Sequence, residues 1–143
     1  MKICAVEIKN NEAVVVLASM HQGMMAVHDC RVTAVSIKVD HDTEMLAEFQ
    51  SKFAKLMQDY QIEHVVIRER MSKGKLAAPG LSFKLEAAIQ LIDTLKVDVL
   101  TAQQSKDSLK RTPLTMKAKD VGLKPFQEEA FNTAFAFLNK RDY

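Results

Sequence analysis

The chain has 143 residues, 48% apolar and 27% charged, enough for one domain with a core of its own. No apolar run approaches the ~20 residues of a membrane span, and the opening MKICAVEIKNNEAV lacks the apolar stretch and cleavage site of a signal peptide, so a cytoplasmic setting without membrane association is expected. Net charge is only +2 but uneven: residues 1–70 carry 8 Lys/Arg against 10 Asp/Glu, residues 71–143 carry 12 against 8, and 103–124 is densest in cations with 6 against 2. That pattern permits a polyanionic partner and equally permits a solvated basic loop. Cys4 and Cys30 each lie in an apolar, strand-like segment, which predicts two reduced, buried thiols rather than a disulfide or a metal pair.

In chain order, KICAVEIKN predicts a central strand and Asn10-Asn11 a tight turn, since asparagine tolerates positive φ. EAVVVLASM predicts a second strand. After His21-Gln22-Gly23 comes a third over about 24–39, with an interruption expected near His28-Asp29. Asp42 or Thr43 caps a helix through residue 62, with Met45, Leu46, Phe49, Phe53, Leu56 and Met57 on one face. HVVIRE is a short strand and RMSKGKLAAPG a loop. Residues 81–96 predict a second helix, with Leu85, Ala88, Ile89 and Ile92 inward. VDVLTA is another strand, and residues 103–124 read as a basic, loop-rich stretch. Pro125 then opens a final helix through Lys140.

The order β-β-β-α-β-α-β-α predicts one α/β domain over residues 1–143. Helices flank a mixed five-stranded sheet: three antiparallel strands joined by turns, then two parallel strands reached through helical crossovers.

Acidic residues supply the candidate chemistry. Glu7 shares a strand face with Ile3 and Ala5, and Glu69 ends its strand on the face of Val65 and Ile67. A carboxylate in such a setting needs an edge, a cation or a metal. A buried ion pair with an arginine such as Arg68 is the competing explanation of Glu7. Glu128 and Glu129 border the apolar arc of the last helix, with Asn132 on its polar face; both acids are also what a helix N-terminus favours. His21, His28, His41 and His64 lack metal-ligand spacing, and no phosphate-binding glycine loop is present.

Element order, AVEIKN on the first strand, VVIRE at the end of the fourth and EAFNTAFAF in the last helix together resemble the ribonuclease H-like superfamily. The likeness is nearest to its RuvC-type Holliday-junction resolvase branch, and also to a small family of proteobacterial proteins with that fold. The resemblance implies a metal-dependent nuclease in which Glu7, Glu69 and Glu129 hold Mg²⁺ or Mn²⁺, with Glu128 or Asn132 as the fourth ligand. It implies phosphodiester hydrolysis of DNA or RNA, and a homodimer, since related resolvases pair to cut two strands. Lys73, Lys75, Lys106, Lys110 and Arg111 would hold phosphates, giving affinity rather than sequence choice. The family positions matched by Glu7 and Glu129 are usually Asp, and Asn132 is a neutral ligand. Those departures point to the alternative, a catalytically inactive ribonuclease H-like binding or scaffold protein.

Overall fold

The computed structural model describes residues 1–38, 43–71 and 79–140. Strands β1 (Lys2–Lys9) and β2 (Glu12–His21) form an antiparallel hairpin in the register Lys9↔Glu12 to Lys2↔Ser19. Asn10 takes the turn at φ 52°, as the Asn-Asn pair implies. The third predicted strand is divided into β3 (Met24–His28) and β4 (Ala34–Ser36), and both pair with β2. The expected interruption is therefore present, and among the described residues the sheet has six strands where five were expected, in the order β3-β2-β1-β5-β6 with β4 beside β2.

At the gap between β3 and β4, the Val15 amide donates to Thr33 O (2.9 Å), and Gln127 Nε2 donates to Val15 O (3.0 Å). A buried glutamine thus completes the backbone bonding where the edge strand breaks. Arg31, in the same connection, pairs with Asp59 at 2.8 Å and ties it to the end of the first helix.

Helix α1 (Thr43–Asp59) leads to β5 (His64–Arg68), α2 (Gly80–Gln90), β6 (Lys96–Leu100) and α3 (Ala102–Arg111). Single 3-10 turns at Ala118–Val121 and Pro125–Gln127 precede α4 (Glu128–Leu138). β5 joins β1 in parallel and β6 joins β5 in parallel, as helical crossovers require. The second helix ends at Gln90, before the expected 96, and Ile92 remains buried in the turn that follows. Asp42, the alternative cap of α1, lies outside the described residues.

Two faces of the sheet are covered. Cys4, Val6, Val65 and Ile67 pack with Phe49, Phe53, Leu85 and Ile89 from α1 and α2. Ile3, Ala5, Val66 and Leu100 pack with Phe131, Ala134 and Phe135 from α4. The apolar stripes expected of these helices are largely the surfaces they bury; Phe49, Phe53, Phe131 and Phe135 are core residues, while Phe126, just ahead of α4, is exposed. Cys4 and Cys30 are free; Cys4 is fully buried and Cys30 half-buried. Burial pushes the Cys4 thiol well above the usual range, and nearby Cys30 adds to that shift.

Candidate acidic site at the end of the sheet

The site follows from the register of the two central parallel strands. Their last pair is Val6↔Ile67, so Glu7 and Arg68 come next, side by side at the carboxyl ends of β1 and β5. Both follow residues on opposite sides of the pleat from their own: Ala5 and Val66 belong to the α4 face, and Glu7 and Arg68 emerge on it. The first turn of α4 brings Glu129 over the same end. Arg68 Nη1 then lies 3.0 Å from Glu7 Oε2, and its Nη2 lies 2.8 Å from Glu129 Oε2. Lys9 Nζ is 3.5 Å from Glu7 Oε1. The Glu7 side chain is only 9% exposed, against 44% for Arg68 and 40% for Glu129, so the arrangement has a buried carboxylate at its base and an open rim.

Glu7 and Glu129 are thus brought together on a guanidinium. The buried ion pair weighed for Glu7 is the one seen. Glu69 does not join them. Alternation turns its side chain out of the Glu7 face; it is exposed, and Oε1 accepts from the Ala102 amide at 2.8 Å. The Glu69 amide still donates to Leu100 O (3.0 Å), so the residue stitches the ends of β5 and β6 while its carboxylate caps α3.

Glu128 and Asn132, one helical turn apart, line a different surface, a depression of about 570 Å³ shared with Lys117, Lys119 and Asp120. Another depression, of about 860 Å³ between α1 and the end of α2, contains none of these acids.

The donor set does not fit the Mg²⁺ or Mn²⁺ implied by the resemblance. Such hard ions take several carboxylate oxygens, and here the oxygens of Glu7 and Glu129 that face one another are bound to Arg68, while Glu69 is bound to backbone. Among the described residues, no three His, Cys, Asp or Glu side chains are grouped to hold an ion. One feature favours a cation all the same: Glu7 Oε1 is buried and accepts no hydrogen bond. His28 meets Ser19 Oγ and His64 meets Asp98 Oδ2, each at 2.7 Å.

Arg70 was no candidate in the sequence, yet it holds the strand exit in place. Its side chain is 9% exposed, pairs with Glu86 at 3.2 Å, donates to Ser82 Oγ at 3.2 Å and stacks over Phe83 at 4.6 Å. The basic stretch is more ordered than expected. Residues 102–111 form α3, closed by a reciprocal capping box between Thr101 and Gln104. Lys106, Lys110 and Arg111 are exposed on it; the helix starts at the end of the sheet where Glu69 lies and runs back to the last turn of α4, where Ser108 meets Ala136. Lys73 and Lys75 lie outside the described residues.

Among solved structures, the fold is similar to that of Thermus thermophilus RuvC, with a TM-score of 0.73 at 12% identity, covering 97% of this chain and 94% of that one. It is also similar to T. thermophilus RuvC in complex with a Holliday junction substrate, at TM-score 0.70 and 13% identity, covering 97% and 93%. At such identities the likeness establishes a ribonuclease H-like fold of the RuvC kind. A search of curated proteins finds no match. The model of one family spans residues 1–137, and the chain therefore belongs to the family described as Protein of unknown function (DUF3010).

Proposed function

We propose that this chain, a single ribonuclease H-like domain, binds nucleic acid as a binding or scaffold protein rather than as a hydrolase. The observation that carries this reading is the commitment of the three matched acids. Glu7 and Glu129 are bound to Arg68, and Glu69 is bound to the α3 amide. The basic residues of α3, a helix that starts at this end of the sheet and runs back along α4, are exposed and supply the counter-charge for phosphate, with Lys73 and Lys75 as further proposed contacts. The RuvC structure solved with a Holliday junction makes branched DNA the first ligand to try, and an RNA–DNA hybrid the second. The reading includes a cytoplasmic setting and a homodimer, the latter measurable by sedimentation.

Fluorescence anisotropy with labelled four-way junction, linear duplex and hybrid tests the proposal. Saturable binding that weakens with salt, without cleavage in Mg²⁺ or Mn²⁺, is the expected result. Absence of binding to all three at low salt would sink it. Cleavage that disappears in Glu7→Gln would instead support the second reading, a metal-dependent nuclease of the RuvC-like type, whose one favourable observation is the buried Glu7 Oε1 without a hydrogen bond.

A further inference from the structure

Two acids at the end of the sheet, Glu7 and Glu129, flank a cation that the chain itself provides. We propose that the Arg68 guanidinium is the resident cation of this site, and that it keeps divalent metal from binding between Glu7 and Glu129. The proposal concerns what fills the acidic centre and holds whether or not nucleic acid binds elsewhere.

Three observations carry it. The first is position: the parallel register sets Arg68 directly beside Glu7, so backbone pairing alone delivers the guanidinium to the carboxylate. The second is geometry. The two terminal nitrogens are divided between two elements, Nη1 to Glu7 on β1 at 3.0 Å and Nη2 to Glu129 on α4 at 2.8 Å. A metal using those same oxygens has to displace both ion-pair contacts at once. The third is charge. Arg68 and Lys9 together balance Glu7 and Glu129, so the cluster carries no surplus negative charge to attract a further cation. Arginine suits the task because it stays protonated throughout the accessible pH range and its planar fork spans two carboxylates. Glu7, buried to 9% exposure, cannot be left without a partner, whereas half-exposed Arg68 lies at the open rim.

The proposal assigns Arg68 a specificity role that substitution can reverse. In Arg68→Ala, Glu7 and Glu129 lose their shared cation, Glu7 Oε1 is already without a hydrogen bond, and the vacated space faces solvent.

The test is isothermal calorimetry with Mn²⁺ on the full chain, paired with thermal unfolding in the same titration. The parent is expected to give no saturable heat and no metal-dependent rise in Tm up to millimolar Mn²⁺. Arg68→Ala is expected to bind one Mn²⁺ at least about ten-fold more tightly than the parent, with a rise in Tm that Glu7→Gln in the same background removes. Should Arg68→Ala fail to fold, Arg68→Gln, which keeps a hydrogen-bond donor near Glu7, carries the comparison. Stoichiometric binding by the parent that Glu7→Gln abolishes would overturn the proposal, since metal would then displace the arginine. A folded Arg68→Ala or Arg68→Gln that still binds no metal would overturn it too. Loss of nucleic-acid binding with these metal results intact would count against the proposed function alone.

Discussion

Arg68, Glu69 and Arg70 end a buried strand with three consecutive charges, and each is satisfied in a different direction. Arg68 turns to the α4 face and bridges two carboxylates, Glu69 caps α3, and Arg70 enters the α2 side to meet Glu86, Ser82 and Phe83. That Glu7 and Glu69 carry acids at the ends of neighbouring parallel strands was legible in the sequence; that they face opposite ways was not. Side chains alternate with period two, so the register of β1 on β5 decides whether Glu69 or Arg68 meets Glu7, and a shift by one residue would exchange them. Nothing local encodes that register. Arg70 offers a prediction at this scale. Its pairing with Glu86 is largely buried, so Arg70→Ala leaves a carboxylate, 18% exposed, without its cation. Urea unfolding should show a loss of about 3 kcal/mol, in the range for breaking a buried pair. Arg70→Lys, which keeps the charge but not the fork or the stacking, should lose less. An unchanged midpoint in Arg70→Ala would show that the pair contributes nothing net.

At the level of elements, the helices with strong apolar stripes were legible and α3 was not. Its sequence, AQQSKDSLKR, is polar on nearly every face, and only Ser108 is fully buried. The available signal was Thr101-x-x-Gln104, a capping box whose two reciprocal bonds, each 3.0 Å, satisfy otherwise orphaned amides. A further first-turn amide, that of Ala102, is supplied by Glu69 from another element, which no local pattern reveals. Docking of α3 combines the packing of Leu109 against the α4 side of the core with a hydrogen bond of similar kind: Ser108 Oγ donates to Ala136 O at 2.6 Å, and that carbonyl is among the last four of α4, which have no partner within the helix. Ser108→Ala should therefore destabilise the chain by about 1–2 kcal/mol through a buried, unsatisfied carbonyl. Hydrogen exchange should localise faster opening to α3 and the end of α4. Equal loss of protection across the central strands would instead mean that α3 is not a separable unit. The same logic explains Gln127, a buried amide whose value lies in a distant backbone carbonyl at the break between β3 and β4.

For the whole molecule, the relative strand directions and the two covered faces follow from element order, because hairpins pair antiparallel and helical crossovers return parallel, whereas the placing of β5 beside β1 does not. The distribution of charge was also legible, and it gives the last prediction. If nucleic acid binds along α3, Lys106 and Lys110 each displace a counterion from the phosphate backbone. The logarithm of the association constant then falls with the logarithm of salt by about 0.9 per duplex phosphate neutralised. Replacing both lysines by Gln should flatten that slope by about 1–2 and weaken binding to branched and linear DNA alike, since phosphate contacts carry no sequence information. Both side chains are exposed, so the unfolding midpoint should stay near that of the parent, which separates lost contacts from lost fold. A slope unchanged in the folded double variant would remove α3 from the interface. Arg68→Gln measured beside it should leave the slope unaltered, because that guanidinium is occupied by Glu7 and Glu129. A slope that instead falls with Arg68→Gln would mean the guanidinium leaves its carboxylates to meet phosphate, and the acidic centre would then be part of the binding surface.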